Sequence, residues 1–231
     1  MMKENVKVLQ KKGKAWGIIL SVPYTLWINF RYLPLKQAVK VPIWVHYRTR
    51  FNANGILRIC SPIRTAMIRI GFHQVPAKSS SDETMIMVNR KGMLVFEGEA
   101  HIGRGSHIYV EENAKLILGD NFAISASSAI LCYKRIVFGK DIQFSWNCLV
   151  MDSDTHQIYD INKKRMNEDK PIILGNKIWI GCNCTILKGT KVPSNCVIGA
   201  NSLLTGQNYE ANSIIAGFPA MTIKTIGGWD L

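Results

Sequence analysis

Acidic residues are almost missing from the start of this chain: residues 1–80 contain one, Glu4, against 14 lysines and arginines. Residues 81–231 hold 15 acids and 15 bases, so the net charge of +13 belongs entirely to the N-terminal third. Such a basic third suits nucleic acid, an anionic membrane surface or a phosphorylated substrate. No nucleic-acid motif accompanies it, and aromatic residues do not alternate with bases along strands, which excludes a nucleic-acid partner. An apolar run long enough to span a bilayer is also lacking. The uncharged stretch Ala15–Phe30, AWGIILSVPYTLWINF, has 16 residues with Pro23 in its middle, short of the roughly 20 that a spanning helix needs. No small-x-small cleavage site follows it, so it is not read as a secretory leader. The six cysteines show no paired metal spacing. Cys182 and Cys184 are the nearest pair, and alternate residues of a strand face opposite ways and cannot share an ion. Small apolar cysteines in a reduced interior are the simplest account.

What is present at the N-terminus is a basic, apolar segment, residues 1–40, expected to be helical. One reading lays it in a membrane interface, with Trp16, Ile19, Leu20, Trp27 and Phe30 partly in lipid and Lys7, Lys11, Lys12 and Lys14 before them. The other packs it on its own protein. Membrane-surface contact is the preferred functional reading of the charge, beside a merely solvated basic face. The expected location is cytoplasmic, with a peripheral place at the inner face of the membrane.

The rest of the chain, residues 41–231, carries a six-residue beat. Ile180, Ile186, Val192, Ile198 and Leu204 keep it unbroken, with Gly181, Pro193 and Gly199 beside them. It recurs at Ile102, Ile108 and Ala114, and at Leu118, Ile124, Ile130 and Ile136. A period of six fits neither a helix (3.6) nor a simple hairpin sheet (2.0). It fits a triangular coil of about eighteen residues, stacked on the last through parallel-strand hydrogen bonds. The predicted fold is therefore all-β, a parallel β-helix. The beat stops between Val150 and Ile172, which predicts a protruding loop over 151–171, the kind of insertion that carries binding sites.

The stretches DSDTHQIYD, PIILGNKIWIGCNCTILKG, VIGANSLLT and IIAGFPAMTIK, from Asp152 to Lys224, resemble the hexapeptide-repeat acyltransferases. The likeness is to the branch of maltose and galactoside acetyltransferases and of capsule and exopolysaccharide O-acetyltransferases. It is weaker from Lys91 to Met151, where only the repeat is visible. Residues 1–90 carry no placed pattern, although FRYLPLKQAVKVPIWV looks like the lead-in of some glycan-modifying members. The resemblance implies a left-handed helix of coils, a homotrimer with sites between subunits, and transfer of acetyl from acetyl-CoA to a sugar or glycan hydroxyl.

Within the loop, His156 is the expected catalytic base. An alcohol is a poor nucleophile near neutral pH, and imidazole can take its proton during attack. D-x-D-x-H before W-I-G also resembles the stretch that supplies the family's base. Asp152 and Asp154 stand on the expected acceptor side, either one able to orient the ring. Asn147 and Trp146 join them by resemblance, Trp146 as a stacking surface for a sugar; a coil-corner asparagine and a packed tryptophan are the alternatives. On the acetyl-CoA side the resemblance places Trp179, Gly181, Cys182, Ala200, Thr205, Gly217, Pro219 and Lys224, the last as a cation for a CoA phosphate. The chain departs from the family where Gly206 stands in place of a lysine able to contact CoA, and where Pro193 replaces a glycine.

No metal is expected. A zinc site of the carbonic anhydrase type would need three converging imidazoles, and His101 and His107 occupy successive sides of a coil. A sugar-nucleotide pyrophosphorylase would need an N-terminal nucleotide-binding domain and its Gly-rich loop; residues 1–90 have neither. A non-catalytic β-helical scaffold is the remaining rival, together with an acetyltransferase for a small non-sugar acceptor. The acceptor itself, lipid-linked or free, is not legible.

Overall fold

The computed structural model describes residues 2–76 and 82–230. A long helix, α1 (Met2–Tyr32), and a one-turn helix, α2 (Leu35–Ala38), precede 22 short strands. The strands form three sheets of nine, seven and six strands, each visited in turn, so that consecutive strands turn a corner and every third one pairs. All pairings are parallel except the closing hairpin, Ser213–Gly217 with Ala220–Thr225. This is the parallel β-helix that the repeat predicts, left-handed as the resemblance implies.

Register shows why a six-residue beat builds it. Ile102 pairs with Ile124, which pairs with Phe144, and the column continues through Ile180, Ile198 and Ile215. Each is buried, as alternation along a strand requires of one face. Phe122, Phe138 and Phe144 fill the middle of the triangle, their centroids 5.2–5.8 Å apart. Two corners repeat with equal regularity. Ser127, Asn147, Asn183 and Asn201 stack with φ between 47° and 58°, and Asn121, Asp141, Lys177, Asn195 and Asn212 do so with φ between 54° and 59°. Asparagine accepts this left-handed backbone more cheaply than most residues. Behind the first corner runs an inward ladder of small residues: Ser106, Ser128, Cys148, Cys184 and Ser202. Two of the cysteines are thus corner fillers, Cys148 and Cys184 donating to the carbonyls of Gly181 and Gly199 at 3.1 and 3.0 Å.

Coils begin at Ile43, well upstream of the visible beat, and the wide spacing there between strands, from Ile59 to Ile68 and from Ile70 to Thr84, breaks the period. The first strand, Ile43–Val45, is an edge whose free backbone groups meet α1 instead of another strand. Asn29 exchanges hydrogen bonds with Ile43, donating to its carbonyl at 2.7 Å and accepting its N–H at 3.1 Å. Thr25 does the same for Val45, at 3.1 and 3.0 Å, and Ser21 accepts the Tyr47 N–H at 3.0 Å. Three polar side chains four residues apart close the end of the solenoid and cover its edge. The lysine side chains of residues 3–14 lie outside the described part of the structure. No helix among the described residues is long and apolar enough to cross a membrane.

Candidate active site

The insertion leaves the third corner of the solenoid, between the seven- and six-stranded sheets, after Met151. Leu149 pairs with Thr185, 36 residues later, where Thr185 pairs with Leu203 only 18 later. The loop is internally bonded. Tyr159 bridges Arg165, Met166 N–H donates to Ile158 O, and Lys134 Nζ holds the returning leg through Asp169 O at 2.8 Å. Asn167 organises its tip: its amide donates to His156 O at 2.7 Å and to Asp154 at 2.8 Å, while its oxygen accepts the Ile158 N–H at 2.7 Å. His156 N–H donates to Asp154 O at 2.7 Å. The backbone on both sides of His156 is therefore fixed, and its imidazole is exposed.

The two acids prove different. Asp152 is fully buried. Its carboxylate accepts the N–H groups of Tyr133, Lys134 and Arg135 at 2.6, 3.0 and 2.6 Å, and so holds the corner beneath the loop. Burial pushes its pKa up, against the pull of those three donors. Both of its oxygens are thus engaged by backbone of the preceding coil. Asp154 is partly exposed and pairs with Lys188, whose Nζ also donates to Asn167 O at 3.0 Å. The hydrogen bond from Lys188, then that from Asn167, lowers the Asp154 pKa and keeps it ionised. Neither acid hydrogen-bonds the His156 ring. Lys188 and Asn167, which position the loop, have no signal in the sequence.

The other expected residues fall into two groups. Thr205 follows Leu204, the partner of Ile186, and so stands beside Leu187 at the foot of the loop. Trp146, Asn147, Cys182 and Ala200 lie at the other margin of the seven-stranded sheet. Five residues of extended chain separate Asn147 from Asp152, about 16 Å. Asn147 is an exposed corner residue with φ 58°, and Trp146 is half-buried. Trp179 is 45% exposed on the outer face of the nine-stranded sheet, its ring donating to Ser145 Oγ at 3.4 Å and meeting Trp229 at 6.4 Å between centroids. Lys224 shares its row through Val197 and Ile214, three strands and about 14 Å away. Gly217 and Pro219 form the exposed hairpin tip around Phe218. Gly181 has a plain local cause: a Cβ there would sit 2.6 Å from Ala200 N and 2.9 Å from Ile198 O, so the stacking of coils excludes a side chain. Gly206 has φ 83° and lies against Lys188 and Gly189, a turn that disfavours the family's lysine.

Among the described residues no cluster of three histidines, cysteines or acids could hold a metal.

No family model matches the chain. It is 29% identical over 155 residues to an uncharacterized 24.8 kDa protein in the cps region of Klebsiella pneumoniae, covering 64% of this chain and 66% of that one. It is 26% identical over 146 residues to the putative lipopolysaccharide biosynthesis O-acetyl transferase WbbJ of Escherichia coli K12, covering 59% and 74%. Among solved structures it is similar to the polySia-specific acetyltransferase NeuO, with a TM-score of 0.56 and 25% identity over 82% of this chain and 89% of that one. With its stacked coils and its corner loop, the chain has the left-handed β-helix fold of NeuO and is similar in sequence to sugar O-acetyltransferases.

Proposed function

We propose that this enzyme moves an acetyl group from acetyl-CoA to a hydroxyl of a glycan, with His156 as the general base. The observation that carries the reading is the bonded loop, in which Asn167, Asp154 and Lys188 fix the backbone around an exposed imidazole. His156 takes the hydroxyl proton as the oxygen attacks the thioester carbon; the C–S bond breaks, and the proton passes to the departing CoA sulfur. The names of WbbJ and NeuO, which act in lipopolysaccharide biosynthesis and on polysialic acid, favour a polymeric or lipid-linked glycan as acceptor.

Two margins about 16 Å apart separate His156 from Trp146 and Trp179 within one chain, and a homotrimer would join them across subunits. The outer face of the seven-stranded sheet suits that contact. Its cross-strand row runs Met87, Tyr109, Leu131, Met151 and Leu187, apolar and partly exposed. Replacement His156→Ala is expected to lower turnover of acetyl-CoA with capsule- or lipopolysaccharide-derived oligosaccharides by at least ~10²-fold, with CoA affinity retained. Full activity in that variant would refute the base assignment. A monomer by light scattering at micromolar concentration would refute the trimer.

A further inference from the structure

Helix α1 is built inside out. The side that packs on the solenoid carries Ser21, Thr25 and Asn29, all buried, Thr25 and Asn29 hydrogen-bonded to the edge strand and Ser21 to Tyr47 just beyond it. The side facing outward carries Trp16, Ile19, Leu20, Trp27 and Phe30, each more than half exposed. These positions recur at three, four and seven, one continuous stripe. An amphipathic helix in water normally shows the reverse arrangement. Polar groups are needed inside here because the edge strand must be hydrogen-bonded, but that need does not call for tryptophan and phenylalanine outside. A contiguous apolar patch of this kind marks an interaction surface.

Charge selects the occupant. After Glu4 the next acid in the chain is Asp82. Arg31, Lys36 and Lys40 are exposed where α1 gives way to α2, and Leu35 and Val39 of that turn are exposed among them. A shallow depression beside them is lined by Leu26, Trp27, Phe30 and Arg31. Aromatic and aliphatic side chains flanked by cations, with no acid, match the interface of an anionic bilayer: rings at headgroup depth, bases on the phosphates. We propose that the outward face of α1, extended by α2, docks the N-terminal end of the solenoid onto an anionic membrane surface, lying in its plane.

The inference stands apart from the acetyltransferase reading, since its test needs no turnover. Full-length protein would be sedimented with vesicles of phosphatidylcholine, with and without phosphatidylglycerol, at low and high salt. Binding is expected only with phosphatidylglycerol, and weaker in high salt. The double variant Leu20→Glu/Trp27→Glu changes two outward side chains, Trp27 also leaving its stacking on Tyr24, and should lose at least ~10-fold in vesicle affinity with the β-helix still folded by circular dichroism. The variant Arg31→Glu/Lys36→Glu/Lys40→Glu should bind anionic vesicles as poorly. Absence of vesicle binding, or binding untouched by the Leu20/Trp27 variant, overturns the proposal. So does a concentration-dependent doubling of mass that this variant abolishes, which would give the face to a second copy of the chain.

Discussion

Asp152 offers a sharp test of how the loop is held. Replaced by asparagine, it keeps its volume but turns one of two accepting oxygens into a donor. Either Tyr133 N–H or the pair Lys134 and Arg135 N–H then loses its acceptor in a fully buried place. Hydrogen bonds to a charged group are worth about 1.5–3 kcal/mol net, and a stranded buried donor costs about 1–3 kcal/mol. Returning a raised-pKa carboxyl to water recovers part of this, so a loss of about 3 kcal/mol is expected. For a chain of 231 residues that is a fall in Tm of about 6–12 °C. Thermal unfolding followed by circular dichroism reads it directly. The opposing view, that Asp152 lines the acceptor site, predicts an unchanged Tm and a raised KM for the acceptor. A variant melting within about 1 °C of the parent, below 0.5 kcal/mol, would refute the present reasoning.

Removing Lys188 as Lys188→Met frees Asp154 and Asn167 and loosens the loop. A fall in kcat of about 10–100-fold is expected, with KM for acetyl-CoA nearly unchanged; an unaltered kcat would contradict the anchoring role. His46 predicts a pH effect. It is 6% exposed, and burial, followed by Arg104 and Arg48, holds its pKa at about 4. Its neutral ring has one lone pair for the nearby Arg48 N–H at 3.2 Å or the Arg104 guanidinium at 3.1 Å, and an imidazolium would serve neither. Below about pH 6.5 the unfolded chain takes up a proton that the folded one refuses until about pH 4. Stability should therefore fall by about 2–3 kcal/mol across that window. His46→Gln should flatten the acid limb of the Tm–pH curve; superimposable curves would contradict the account.

How much of this was legible differs along the chain. From Ile180 to Leu204 the coils could be read residue by residue, because the corners are short and the inward position is always aliphatic. Between Ile43 and Val88 the same inward positions exist, among them Ile43, Phe51, Leu57, Ile68 and Ile86, but long corners destroy the period. Pro193, a departure from the repeat, has a geometric cause. Gly175, at the same place one coil earlier, donates its N–H to Val192 O at 2.8 Å; Lys191–Val192 is the last strand of its sheet, so Pro193 has no such acceptor to supply. The different fates of Asp152 and Asp154 carried a readable signal. Val150 points inward, and alternation sends Asp152 inward as well. The pairing of Asp154 with Lys188 had none, since contacts between a loop and the next coil follow no spacing. In α1 the spacing of four between Ser21, Thr25 and Asn29, which joins helix to strand, is set within a mostly apolar sequence.

Calorimetric titration of the purified protein with CoA and acetyl-CoA decides whether the coils hold an acyl donor. Micromolar binding of both is expected, with one site per chain, weakened by Lys224→Ala and untouched by His156→Ala. Absence of binding to either would contradict the acetyltransferase reading and leave a β-helical scaffold without a donor site.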